Sequence, residues 1–125
     1  MIWCFLFIVF VHWFADFVLQ THHMSVRKSS SNYYLTLHVT VYTFATVFLW
    51  ALTLPFMVEH VSFNGIWLSF IAIFCMHWIT DYFTSRWTNR LYKEERYYDF
   101  FTVIGLDQLS HYIQLSLTFN YILQL

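Results

Sequence analysis

Charge is the scarcest commodity in this chain: Asp, Glu, Lys and Arg together make up 10% of its 125 residues, and the net charge is −1. No basic excess exists from which a duplex-binding surface could be built, so no nucleic-acid partner is expected. Glycine and proline are almost missing, with two Gly and one Pro. Two cysteines are present, Cys4 and Cys75. Both fall in apolar runs, which favours free buried thiols over a disulfide or a thiolate metal site.

What fills the chain instead is apolar. Hydrophobic residues reach 59%, aromatics 24%, and the mean hydropathy is +0.53. That composition excludes a disordered chain and argues against an ordinary soluble domain. Four hydrophobic segments, at about 1–20, 34–57, 65–86 and 100–124, are each long enough to cross a bilayer core, which takes about 20 helical residues. The expected architecture is therefore all-α, a single domain over 1–125 forming a four-helix transmembrane bundle. The helices lack the sustained polar face that a soluble four-helix bundle needs. The first segment has no basic n-region and no A-x-A cleavage site and contains Asp16, so it reads as a retained helix rather than a signal peptide. The connector 21–33 is polar and Ser-rich. The next holds Glu59, His60 and Asn64, and the third, near 87–99, is rich in charge and prolongs the third helix before an interfacial turn.

Orientation follows from the basic residues. All six Lys and Arg (Arg27, Lys28, Arg86, Arg90, Lys93 and Arg96) lie in or beside the first and third connectors. The positive-inside rule then puts those connectors in the cytoplasm and both termini on the outer face.

Against this apolar background two copies of one motif stand out, His12-Trp13-Phe14-Ala15-Asp16-Phe17 and His77-Trp78-Ile79-Thr80-Asp81-Tyr82-Phe83. Ionisable side chains at membrane depth are costly and mark sites. Residues at i and i+4 share a helix face, so His12 with Asp16, His77 with Asp81, and Asp107 with His111 each offer a two-ligand edge. With seven His and four Asp in the chain, chance predicts about 0.2 His-x-x-x-Asp pairs, and two occur together with one reversed pair. His38 lies near the start of the second helix. In the expected topology all seven residues fall roughly 5–16 Å below the cytoplasmic boundary.

Imidazole and carboxylate together suit zinc, or else manganese or iron, and the absence of Cys from the set argues against a softer site. A metal also relieves the repulsion of three carboxylates in low dielectric. Seven candidates (His12, Asp16, His38, His77, Asp81, Asp107 and His111) exceed the three or four protein ligands of one zinc. Either two ions are bound, or some residues orient the ligands or act as bases. Gln20 and Gln108 are candidate orienting donors. The plain alternative is a His–Asp hydrogen-bond network that only joins helices.

The combined pattern reads His-x-x-x-Asp-(Phe/Tyr)-x-x-Gln, a His in the second helix, a second His-x-x-x-Asp, and a closing Asp-Gln-x-x-His. It is carried here by His12, Asp16, Phe17 and Gln20; His38; His77 and Asp81; and Asp107, Gln108 and His111. It resembles a family of small phage and bacterial integral membrane proteins classed as a domain of unknown function. More distantly it is similar to predicted membrane-bound metal-dependent hydrolases, and the His-x-x-x-Asp element resembles that of zinc phosphoesterases of the phospholipase C type. The resemblance implies a phage or bacterial protein of the inner (cytoplasmic) membrane.

The functional expectation is a hydrolase acting on a phosphoester or amphiphilic substrate at the cytoplasmic leaflet. One or two divalent ions would acidify a water, with Asp16, Asp81 or Asp107 as the catalytic carboxylate. The expected partners are the lipid bilayer, a lipid or phosphorylated small-molecule substrate, and, for a phage factor, a host protein; an oligomer is compatible with the sequence. Two rival classes are a non-enzymatic membrane interaction protein with a structural metal and a metal or proton conductor. His22 and His23 with Arg27 and Lys28 could meet a phosphate head group but serve equally as a topology signal. Ser29, Ser30 and Ser31 have no paired base nearby, so no serine nucleophile is expected. The tract 86–99 reads as an interfacial belt, Trp13 and Trp78 as residues packed between helices or at the interface.

Overall fold

The computed structural model describes residues 2–53, 56 and 62–122. Their regular structure is all helical. The chain forms α1 (Ile2–Trp13), which runs into a π-helical turn (Phe14–Val18), then the short α2 (His22–Arg27), α3 (Asn32–Thr53), α4 (Phe63–Lys93) and α5 (Tyr97–Leu117), the last ending in a second π turn (Thr118–Ile122). α1 with its π turn, α3, α4 and α5 lie on the four hydrophobic segments. Met1, the stretch 54–55 and 57–61 with Glu59 and His60, and the end of the fourth segment at 123–125 lie outside the described residues.

Local sequence explains the boundaries. Thr21 caps α2 by accepting from the Met24 N–H at 3.3 Å, so the connector 21–33, which reads as plain polar loop, holds a helical turn. Ser62 caps α4 in the same way, accepting from the Gly65 N–H at 2.8 Å; such caps satisfy donors that a helix start otherwise leaves free. At its other end α4 continues to Lys93, well past 86, as the charged connector suggested. It stops in a Schellman arrangement: the Glu95 N–H reaches the Tyr92 carbonyl at 3.1 Å and the Arg96 N–H reaches the Leu91 carbonyl at 3.0 Å. The residue in the left-handed position is Glu95, with φ 57, where glycine is the usual occupant.

The long helices close into a ring. α4 packs against α3 and α5, and α1 packs against α3 and α5. On α4 the buried face is Gly65, Ser69, Ile73, His77 and Asp81, spaced by four and therefore stacked along one side. α3 turns Leu35, His38, Val39, Tyr42, Thr43, Thr46 and Trp50 inward. One half of the interior is apolar, with Ile8, Val11, Trp50, Ile73, Leu115 and Phe119 packed together. The other half holds the histidines and carboxylates.

His12, Asp16, His38, His77, Asp81 and His111 are buried, whereas Phe44, Phe48, Phe83 and Phe101 are each 60–68% exposed on the outside. α3 and α4 are long and apolar enough to cross a membrane. The stretch Ile2–Val18 is apolar but shorter. Both cysteines are free, and Cys75 is exposed rather than buried, because the outward faces of these helices are as apolar as the inward ones.

Candidate metal centre

Asp16 sits within the π turn that follows His12. This wider turn, closed by the Leu19 N–H on the Phe14 carbonyl at 3.1 Å, is a feature often found at functional sites. It leaves Asp16 Oδ2 3.7 Å from His12 Nε2 while Oδ1 stands 3.0 Å from His38 Nε2. From the facing helix, His77 Nε2 lies 3.3 Å from His38 Nε2 and 3.7 Å from Asp16 Oδ1. Asp81 completes the set, with Oδ2 3.3 Å from His38 Nε2 and Oδ1 3.6 Å from His77 Nε2.

These separations are those of ligands around one ion. Four donors at about 2.05 Å from a tetrahedral metal lie about 3.3 Å from one another. Asp16, His38, His77 and Asp81 each offer an atom within 4.8 Å of the others, all four being buried, and could hold a metal ion. Asp16 Oδ1 is buried without an aligned hydrogen bond despite its close neighbours. Buried oxygens rarely stay unsatisfied, and a cation would satisfy this one.

Asp81, Asp107 and His111 form a second such group. His111 Nε2 is 3.1 Å from Asp81 Oδ1 and 3.4 Å from Asp107 Oδ1. Asp107 is held from two sides, Thr84 Oγ1 donating to Oδ1 at 2.6 Å and Gln108 Nε2 donating to Oδ2 at 3.1 Å. His12 belongs to neither group. Its Nδ1 pairs with the Tyr42 hydroxyl at 2.9 Å and its Nε2 with Gln108 Oε1 at 3.0 Å, so both ring nitrogens are engaged. Gln20 does not touch a carboxylate: its Nε2 donates to the Asp16 backbone carbonyl at 3.0 Å and steadies the π turn.

Three participants escape the sequence reading. Lys28 reaches from the loop after α2 to donate to Asp81 Oδ2 at 2.8 Å. Burial disfavours its charge, but the Asp81 and Asp16 carboxylates more than offset this and hold its pKa above the ordinary lysine value. As part of a basic connector it looked like a topology signal, and nothing in its spacing points to Asp81. Tyr42, four residues after His38, stacks on the His77 ring at a centroid distance of 3.9 Å. Thr84 lies three residues after Asp81 on α4. For these two the helical offset from a motif residue was the available signal.

Of the other basic residues, Arg27 pairs with the Tyr34 hydroxyl and Arg86 with Asn32 while lying over the Tyr82 ring. Trp13 is half exposed on the outer surface, and Trp78 donates to Thr36.

A cavity of about 520 Å³ is lined by Asp16, Lys28, Asp81 and Asp107 and also by Tyr92 and Phe100. That volume falls in the usual range for small-molecule sites.

The chain belongs to the family described as "Protein of unknown function (DUF3307)", whose profile matches residues 4–125 and so includes every residue of the cluster. No curated protein and no solved structure matches it.

Proposed function

We propose that this protein is a membrane-embedded, metal-dependent hydrolase of a phosphoester or other amphiphilic substrate, working from the cytoplasmic leaflet of the bacterial inner membrane. One observation carries the reading: three carboxylates of the Asp/His cluster, Asp16, Asp81 and Asp107, line the 520 Å³ cavity. Support for a four-helix membrane bundle comes from the many large apolar side chains exposed on the outer surface while His and Asp side chains are buried, and from the two helices of spanning length. Isolated apolar patches of this extent are uncommon on soluble monomers. The cavity lies at the end of the bundle that carries Lys28, Arg86, Arg90, Lys93 and Arg96, which the positive-inside rule assigns to the cytoplasm.

The donor set suits zinc, with manganese or iron as alternatives, and the ion would supply Lewis-acid chemistry, acidifying a water and offsetting developing negative charge. The chain's own groups do the rest. Asp107 is the most accessible of the three carboxylates, its side chain 16% exposed against 5% for Asp16 and 2% for Asp81, and takes a proton from the attacking water. As the water oxygen bonds to phosphorus, the ester P–O bond breaks and the leaving oxygen receives that proton. Thr84 and Gln108 fix the carboxylate for this task. Tyr92 and Phe100 give the substrate's apolar part a wall.

The test is release of phosphate or head group from a panel of phospholipids and isoprenoid phosphates in detergent, with and without zinc or manganese. Metal-dependent turnover that disappears in Asp107→Asn, with the fold retained, is the expected result. No turnover across the panel would remove the phosphoesterase reading.

A second reading also has an observation in its favour. Asp16, His38, His77 and Asp81 are four protein donors, the number that closes a structural zinc site. A protein that uses such an ion only to hold its helices, and acts by binding a host membrane protein, would bind metal tightly and turn nothing over. Conduction has less support, since the half of the interior beyond the cluster is packed with Ile8, Val11, Ile73, Leu115 and Phe119.

A further inference from the structure

Resting on the hydrolase reading, we infer that the cluster is a binuclear centre in which Asp81 bridges a closed cation site, formed with Asp16, His38 and His77, to an open one formed with Asp107 and His111. The two oxygens of Asp81 reach both groups. Oδ2 faces His38 Nε2 at 3.3 Å and accepts from Lys28 Nζ at 2.8 Å, and Oδ1 faces His111 Nε2 at 3.1 Å while standing 3.6 Å from His77 Nε2. A carboxylate shared in this way is what holds the paired ions of two-metal hydrolases about 3.5–4 Å apart.

The two sites differ in what they leave free. Around the first, four protein donors stand 3.0–3.7 Å from their neighbours, and no further ligand is needed. The second has three, its two carboxylates standing 3.1 and 3.4 Å from His111; Asp81 and Asp107 line the cavity, as Asp16 does. Three protein ligands with one position open toward a cavity is the arrangement of a catalytic zinc, whereas four is that of a structural one. The closed ion therefore shapes the bundle, and the open one faces substrate. Asp107 would give Oδ1, on the His111 side, to the ion. Its Oδ2, which accepts from Gln108 Nε2 at 3.1 Å, keeps a second lone pair to take the proton.

Charge supports the pair. Three carboxylates and the Lys28 ammonium meet in this cluster. With a single divalent ion they sum to neutrality, which offers an anion nothing. With two divalent ions the centre is left positive by two charges, and a phosphate monoester dianion restores neutrality. The inferred substrate class is accordingly an anionic ester rather than a neutral one.

The experiment is metal analysis of the detergent-purified full chain, loaded with zinc and washed free of excess, together with electron paramagnetic resonance of the manganese-loaded protein. Two ions per chain and an exchange-coupled manganese spectrum are expected. His111→Ala and Asp107→Asn should each reduce the count to one and abolish the coupling. Because His111→Ala is a buried change that could unfold the bundle, Asp107→Asn, at a half-buried position, is the decisive variant, its helicity checked by circular dichroism. One ion per chain with an uncoupled spectrum overturns the binuclear centre, and if turnover accompanies it the hydrolase reading survives alone. Two coupled ions without turnover uphold the centre and remove the hydrolase. No retained ion removes both.

Discussion

Asp81 is the residue on which the cluster converges, meeting Lys28, His38, His77 and His111 within 3.6 Å. Removing one member of a buried charge pair leaves the other uncompensated, at a cost of about 3–5 kcal/mol. Asp81→Ala should therefore both lower bound metal and destabilise the bundle by that order, measured as metal content and as the thermal unfolding midpoint in detergent; an unchanged midpoint and metal content would favour a merely local hydrogen bond. Lys28 gives a sharper contrast. In chelator-treated protein its ammonium is the cation that offsets Asp81, so Lys28→Met should cost about 2 kcal/mol, reduced from the fully buried figure because the side chain is 18% exposed. In zinc-loaded protein the ion takes over that role, and the cost should fall below about 1 kcal/mol. Equal effects in the two states would mean that Lys28 and the metal act on different carboxylates. The i, i+4 pairs were legible because helix geometry makes spacing equivalent to proximity. The Lys28 contact was not, since it joins positions 53 apart through a loop.

At the scale of elements, the turn between α4 and α5 and the π turn after α1 show two kinds of local exception. Glu95 adopts φ 57, a conformation that costs an L-residue about 1–2 kcal/mol relative to glycine. The flanking ion pairs Arg90–Glu94 at 2.8 Å and Arg96–Asp99 at 2.8 Å are exposed and contribute little against it. Glu95→Gly should thus raise the unfolding midpoint, corresponding to about 1 kcal/mol, without changing metal content; a lowered midpoint would mean that the Glu95 side chain supports the turn in some other way. The long helices were readable because apolar runs bounded by polar connectors leave few alternatives. Neither the α2 turn nor the π turn was, because the first depends on one cap at Thr21 and the second on a hydrogen-bond shift that leaves no compositional trace. The π turn matters more, because Asp16 stands inside it.

For the molecule as a whole, the proposed membrane embedding makes orientation the property that decides which side of the membrane the cavity serves. With Cys4 and Cys75 replaced by serine, a cysteine at Ser30 or Asn89 should be shielded from a membrane-impermeant thiol reagent in intact cells. A cysteine at Phe63, just past the Ser62 cap and 81% exposed, should be labelled. The opposite pattern would place the cavity on the outer side. The all-helical class and the meeting of the motif residues could be read from apolar runs and helical spacing alone. The cavity could not, because its lining is drawn from the π turn after α1, from α2 and the loop after it, and from α4 and α5. All of this depends on whether the buried donors hold a metal, and the most direct measurement is the divalent metal content of the protein purified in detergent without chelator, beside that of His77→Ala. At least one tightly held ion per chain, largely lost in the variant, is the predicted result; a wild-type protein that carries no metal and gains no stability from added zinc or manganese would contradict it.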